Sequence, residues 1–70
     1  MCFKSLFPPK THLVNEHTRE IHDIANSKKS CRISMITSKN RRMVTTRKAM
    51  RLLGQGYDGC RFCMPEYDNG

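Results

Sequence analysis

Leu13 and Val14 are followed by a polar stretch, "NEHT", and then by the alternation Glu20, Ile21, His22, Asp23, Ile24. A period of two marks a half-buried strand, because successive side chains of extended backbone point to opposite faces. Residues 12–24 therefore predict two short strands joined by "NEHT". "ANSKKS" reads as a polar loop, and "CRISMITSKN", with Ile33, Met35 and Ile36, as either a helical turn or an irregular connection. "RRMVTT" offers a third strand, in which β-branched threonines flank Met43 and Val44.

The period then changes. Ala49, Met50 and Leu53 share one face at i, i+1 and i+4 with Leu52 at its edge, while Arg47, Lys48 and Arg51 project elsewhere, which predicts a helix from Arg47 to Gln55. Thr45 or Thr46 is placed to cap it, since a threonine hydroxyl can accept an unpaired amide hydrogen of the first turn. Gly54 or Gly56 supplies the left-handed residue that ends it. Directly after comes "GYDGCRFCMP". The elements add up to an α+β domain: a short antiparallel sheet and one main helix before a C-terminal CxxC. Residues 1–11 read as an arm, 12–66 as the domain and 67–70 as a tail.

Composition makes a staple necessary. The chain has 70 residues, 37% of them hydrophobic, with no Trp, three Phe and two Tyr. A core of that size rarely supplies more than ~3–5 kcal/mol on its own. The four cysteines are the first candidates for the missing stability. "MCFKSLFPPK" is too short in its apolar part, and too broken by Pro8 and Pro9, for a secretory leader, and no segment reaches the length of a membrane span. The expected setting is the cytoplasm, where thiols stay reduced and cysteine clusters read as metal ligands or catalytic groups before disulfides.

Cys60 and Cys63 lie on one tight turn, so both thiolates can reach a single ion at about 2.3 Å, and Gly59 lets the backbone fold beneath it. A thioredoxin-like redox pair would sit between a strand and a helix of a βαβ unit, whereas this pair follows a helix. A tetrahedral Zn²⁺ site needs two more ligands. Cys31 is the third. For the fourth the candidates are Cys2, His12, His17 and His22, and His22 ranks first because it is nearest to Cys31 and lies on a predicted strand. Zinc binding is itself folding free energy in small domains, roughly 10–16 kcal/mol in finger peptides.

The parts "TREIH", Cys31, "SKNRRMV", "TTRKAMRLLGQ" and "GYDGCRFCMP" resemble, in that order, the Ada-type metal-binding domain, the zinc module of methylphosphotriester DNA repair proteins and related small proteins. The resemblance runs from Thr18 to Pro65, about two-thirds of the chain, and its closing motif is the most specific part. It implies a zinc module acting at the DNA backbone. His22 stands where the repair proteins carry the cysteine that takes the methyl group, so alkyl transfer is not carried over with the module.

The charge pattern bears on partners. The net charge is +7, and Lys28, Lys29, Arg32, Lys39, Arg41, Arg42, Arg47, Lys48 and Arg51 follow one another without an intervening acid. Such a stretch is either a solvated face or a surface for a polyanion, and phosphate contacts to DNA would come from these nine cations. The leading expectation is a non-enzymatic zinc domain whose basic side meets nucleic acid. One alternative is a structural zinc module that docks a protein partner or a second copy through Phe3, Leu6 and Phe7. Another is an alkyl acceptor with Cys31, Cys60 or Cys63 as nucleophile.

Overall fold

A computed structural model of the chain describes residues 8–68; Cys2, Phe3, Leu6 and Phe7 of the expected arm lie outside them. The fold is α+β. Strands β1 (Lys10–Asn15), β2 (Glu20–Asp23), β3 (Arg41–Thr45) and β4 (Asp58–Gly59) form one sheet in the order β3-β1-β2-β4, and helix α1 (Thr46–Leu53) lies against β1 and β3. Single 3₁₀ turns at Ile24–Asn26, Lys29–Cys31, Ile33–Met35, Ser38–Asn40 and Pro65–Tyr67 punctuate the remaining backbone. Among the described residues no helix is long and apolar enough to cross a membrane.

The expected hairpin is present, with its turn displaced by one residue. β1 begins at Lys10, and Asn15 pairs with Glu20, so the turn is Glu16 to Arg19 rather than "NEHT". The Asn15 carboxamide oxygen accepts from the amides of His17 and Thr18, an Asx turn that keeps Asn15 itself in the strand. Arg19 closes the turn in the left-handed region at φ 59°. That conformation costs a non-glycine residue about 1–2 kcal/mol. It leaves the Arg19 carbonyl where it accepts the Asp58 amide at 2.9 Å, while the guanidinium lies 5.5 Å from the Tyr57 ring centroid. The Tyr57 hydroxyl in turn donates to Glu16 at 2.7 Å, a bond that raises the Tyr57 pKa, and Glu16 pairs with Arg42 at 3.0 Å. Turn, β3 and the segment after the helix are thereby tied together.

β1, β2 and β3 form the antiparallel sheet that the sequence predicts, and β4 adds one parallel neighbour to β2. The chain reaches β4 from β3 through α1, a helical crossover, and such a connection delivers a parallel strand where a hairpin would deliver an antiparallel one. α1 is capped by the Thr45 hydroxyl, which accepts from the Lys48 amide at 3.1 Å. Its buried stripe is Ala49 and Leu52 with Leu53 partly buried; Met50 is 37% exposed, not part of the core face. Met50 falls in line with Thr46 and Arg47 at i−4 and i−3, which is the solvent side once Ala49, Leu52 and Leu53 face the sheet. The left-handed residue after the helix is Gly56 at φ 94°, since Gly54 stays in the right-handed region.

One apolar cluster joins Val14, Ile21, Val44, Ala49, Leu52 and Met64 to three cysteines, Cys31, Cys60 and Cys63. The expected metal ligands are thus themselves core residues. Gly59 is needed here for space rather than for a special backbone angle: a Cβ on it would lie 2.7 Å from the Tyr67 Cβ and 3.0 Å from the Met64 carbonyl. Gly59→Ala is expected to lower stability by about 1–3 kcal/mol, as overpacking does. Gly54→Ala, whose new Cβ would meet only the Arg51 carbonyl at 3.4 Å, should be close to neutral. Thermal melts of the two variants check this; equal effects would mean that the approach of Tyr67 to Gly59 does not constrain the fold.

Candidate metal centre

Each donor is placed by a different local device. His22 is on β2, held between β1 and β4, and is 1% exposed. Directly after β2 the Asp23 carboxylate caps the first 3₁₀ turn by accepting from the Ala25 amide, and this bends the chain out of the sheet. The Lys28 carbonyl accepts the Cys31 amide at 3.0 Å, which closes the turn carrying Cys31, and Arg32 leaves that turn in the left-handed region at φ 54°. Cys60 follows β4, and its amide donates to the Ile21 carbonyl at 2.9 Å, so the start of CxxC is clipped to the residue beside His22. The Met64 amide bonds the Cys60 carbonyl at 2.8 Å and folds Cys63 back toward Cys60.

These devices converge. One donor atom from each of His22, Cys31, Cys60 and Cys63 lies within 4.8 Å of the other three, and all four residues are buried. Donors at about 2.3 Å from an ion at the corners of a tetrahedron stand about 3.8 Å apart. The sulfurs of Cys60 and Cys31 are 3.6 Å apart, and Cys63 Sγ is 3.8 Å from His22 Nδ1. The cluster could hold a metal ion. The three described cysteines form no disulfide.

The surroundings suit His22 and Cys31 in their binding forms, and Cys63 less so. Burial pushes the His22 pKa below its ordinary value and so favours the neutral imidazole that ligates metals. Each sulfur accepts one backbone amide: Cys63 from Asp23 at 3.3 Å, Cys31 from Lys28 at 3.4 Å and Cys60 from Phe62 at 3.4 Å. Such bonds stabilise thiolate charge. The thiols differ in how readily they give up a proton. Burial pushes Cys63 up to about 12, with the other two cysteines adding to it. At Cys31 burial acts upward too, but the Lys28 amide, the neighbouring thiols and the Lys28 charge outweigh it and the net shift is down.

His22 is the histidine of the cluster, as its strand position suggests. His12 is buried but its Nδ1 lies 2.8 Å from the Thr11 hydroxyl, and His17 is an exposed turn residue; Cys2 lies outside the described residues. The nine cations divide. Lys28 Nζ donates to the carbonyls of Phe62 at 3.1 Å and Asn26 at 3.4 Å. Arg41 donates to the Ile36 and Ile33 carbonyls, each at 3.0 Å, and holds the 3₁₀ connection against β3. Arg42 pairs with Glu16. Lys29, Arg32, Lys39, Arg47, Lys48 and Arg51 make no side-chain hydrogen bond or ion pair among the described residues.

Sequence reasoning missed Glu20. Its Oε1 lies 3.4 Å from His22 Nε2, the ring nitrogen turned away from Cys63. The available signal was the i, i+2 spacing, which puts two strand residues on one face. The amides of Asp23, Lys28 and Phe62 carried no side-chain signal at all. Comparison with family models, with curated proteins and with solved structures returns no match.

Cys60→Ser is expected to abolish metal retention and cooperative folding, while His12→Ala and His17→Ala keep the metal, as measured by metal content after gel filtration. Binding a cation to these sulfurs displaces thiol protons, so retention should be full at neutral pH and lost as pH falls. Calorimetry in two buffers of different ionisation enthalpy should show proton release on metal uptake at pH 7. Uptake without proton release would mean that the thiols are not the ligands.

Proposed function

We propose that this chain is a non-enzymatic zinc module whose basic surface docks on the backbone of duplex DNA. The observation that carries the metal half is the convergence of three buried thiols and one buried imidazole within 4.8 Å. Soft sulfur donors completed by imidazole, four donors in all among the described residues, match tetrahedral Zn²⁺ in a structural site; a catalytic site keeps a position open for water. The resemblance of Thr18 to Pro65 to the Ada-type module points the same way.

The chemistry of the donor set favours structure over alkyl transfer. Three thiolates and one dication leave a formal charge of −1, where four thiolates would leave −2 and more electron density for attack on an alkyl donor. Each sulfur also gives density to a backbone amide, which lowers its nucleophilicity further. The ion's work is then to hold the fold.

The nucleic-acid half rests on charge. Six cations, Lys29, Arg32, Lys39, Arg47, Lys48 and Arg51, are free of internal partners among the described residues. Lys28, Arg41 and Arg42, which have internal partners, are better read as structural. The stretch from Lys28 to Arg51 contains no aromatic residue on which bases could stack, which favours duplex backbone over single strands. If about five of them meet phosphates, log K should fall against log[salt] with a slope of roughly −4 to −5, and unrelated duplexes should bind alike. Arg47→Glu and Arg51→Glu should each flatten that slope by about one unit with zinc retained. Fluorescence anisotropy at low salt that shows no association up to high micromolar protein would overturn the nucleic-acid half and leave a structural zinc module.

A further inference from the structure

From the placement of Glu20 we infer that this carboxylate is the positioning residue of the metal centre: it accepts the Nε2–H of His22 and so commits Nδ1 to the ion. The inference rests on the metal reading above and deepens it. Three observations carry it. The two ring nitrogens of His22 face different partners, Nδ1 toward Cys63 Sγ at 3.8 Å and Nε2 toward Glu20 Oε1 at 3.4 Å. The ring is 1% exposed, so water cannot readily serve as the second partner. Glu20 and His22 are two apart on β2, which keeps them on one face, and both ends of Glu20 are anchored: it pairs with Asn15 of β1 on one side and Asp58 of β4 on the other.

The physical consequence concerns the tautomer. A neutral imidazole carries one proton, and it can offer a lone pair to a metal only from the other nitrogen. A carboxylate at Nε2 fixes the proton there. It also makes the ring a stronger donor and holds its plane against rotation, which is why partners of this kind are worth about 10–100-fold in metal affinity. Burial raises the Glu20 pKa, with the nearby Asp58 and Asp68 carboxylates adding to it, and Glu20 is the carboxylate within reach of Nε2.

The test uses the whole chain loaded with Zn²⁺ and needs no variant for its first arm. Long-range ¹H–¹⁵N correlation spectra of the His22 ring should show Nε2 protonated and Nδ1 at a metal-bound shift. Competition with a chromophoric chelator should then show Glu20→Ala binding Zn²⁺ about 10–100-fold more weakly, with Glu20→Gln, whose amide oxygen can still accept, recovering part of the loss. Co²⁺ loading supplies a second readout, since ring rotation moves the d–d absorption bands of the Glu20→Ala site. A zinc-loaded chain with Nδ1 protonated, or a Glu20→Ala affinity within twofold of the parent, overturns the inference alone. A chain that takes up no Zn²⁺ overturns the metal reading and this inference with it.

Discussion

The convergence of Cys31, Cys60 and Cys63 on His22 is the interaction on which the rest of this molecule depends. The apolar cluster consists of nine buried residues, and three of them are these cysteines. Without an ion between them, the other members of the cluster among the described residues are Val14, Ile21, Val44, Ala49, Leu52 and Met64, a small set to order so many short 3₁₀ turns and a two-residue strand. Thiols are small hydrophobes in such a core, but as thiolates around a cation they become cross-links between β2, the 3₁₀ connection and the C-terminal turn. Core and site are one object here.

That identity explains what was legible in the sequence. CxxC on a glycine-led turn is a local signal, and it marked Cys60 and Cys63 directly. Cys31 reads as the third ligand while Cys2 stays among the candidates for the fourth, and His22 ranks first there because it is nearest to Cys31 and the alternation from Glu20 to Ile24 puts it on a strand. Local signals failed where a residue's role is set by a distant segment. The buried stripe of α1 turns on how the helix meets β1 and β3, so Met50 was placed inside and is outside. Gly59 reads as the residue that lets the backbone fold beneath the ion, whereas the approach of Tyr67 makes it a spacer. Lys28, Arg41 and Arg42 counted as free charge in the sequence because their acceptors are mostly main-chain carbonyls, such as those of Phe62 and Ile33, which no residue type announces.

The protein's polar groups reinforce the same centre from outside. Backbone amides of Asp23, Lys28 and Phe62 reach one sulfur each, and Asp23 and Lys28 also shape the turns that bring Cys31 near. Farther out, Arg42, Glu16, Tyr57 and Arg19 form a chain of charge and ring contacts from β3 to the segment that feeds β4. This surface chain is solvent-screened and worth little per pair. Its value is geometric, because it fixes the approach of Tyr57, and two residues beyond Tyr57 the strand must meet Ile21 in register.

The two-residue pairing of β4 with β2 has a consequence for the order of folding. β1 and β2 are joined by a short turn, β3 returns to β1 from 26 to 35 residues away, and α1 follows β3 without a gap. β4 closes the widest span: it must cross from the far edge of the sheet, and His22 and Cys63, which its pairing helps to bring together, are 41 residues apart. Closing a loop of that length carries an entropy cost that a pair of strand hydrogen bonds does not repay. The hairpin and helix can therefore form early as a loose scaffold, and on the metal reading proposed above the closing event would be capture of a cation by a half-built cage. During synthesis the scaffold would emerge first and wait, open at one edge, until Cys60 and Cys63 leave the ribosome. On the metal reading proposed above, local metal supply at that moment would then govern the yield of folded protein.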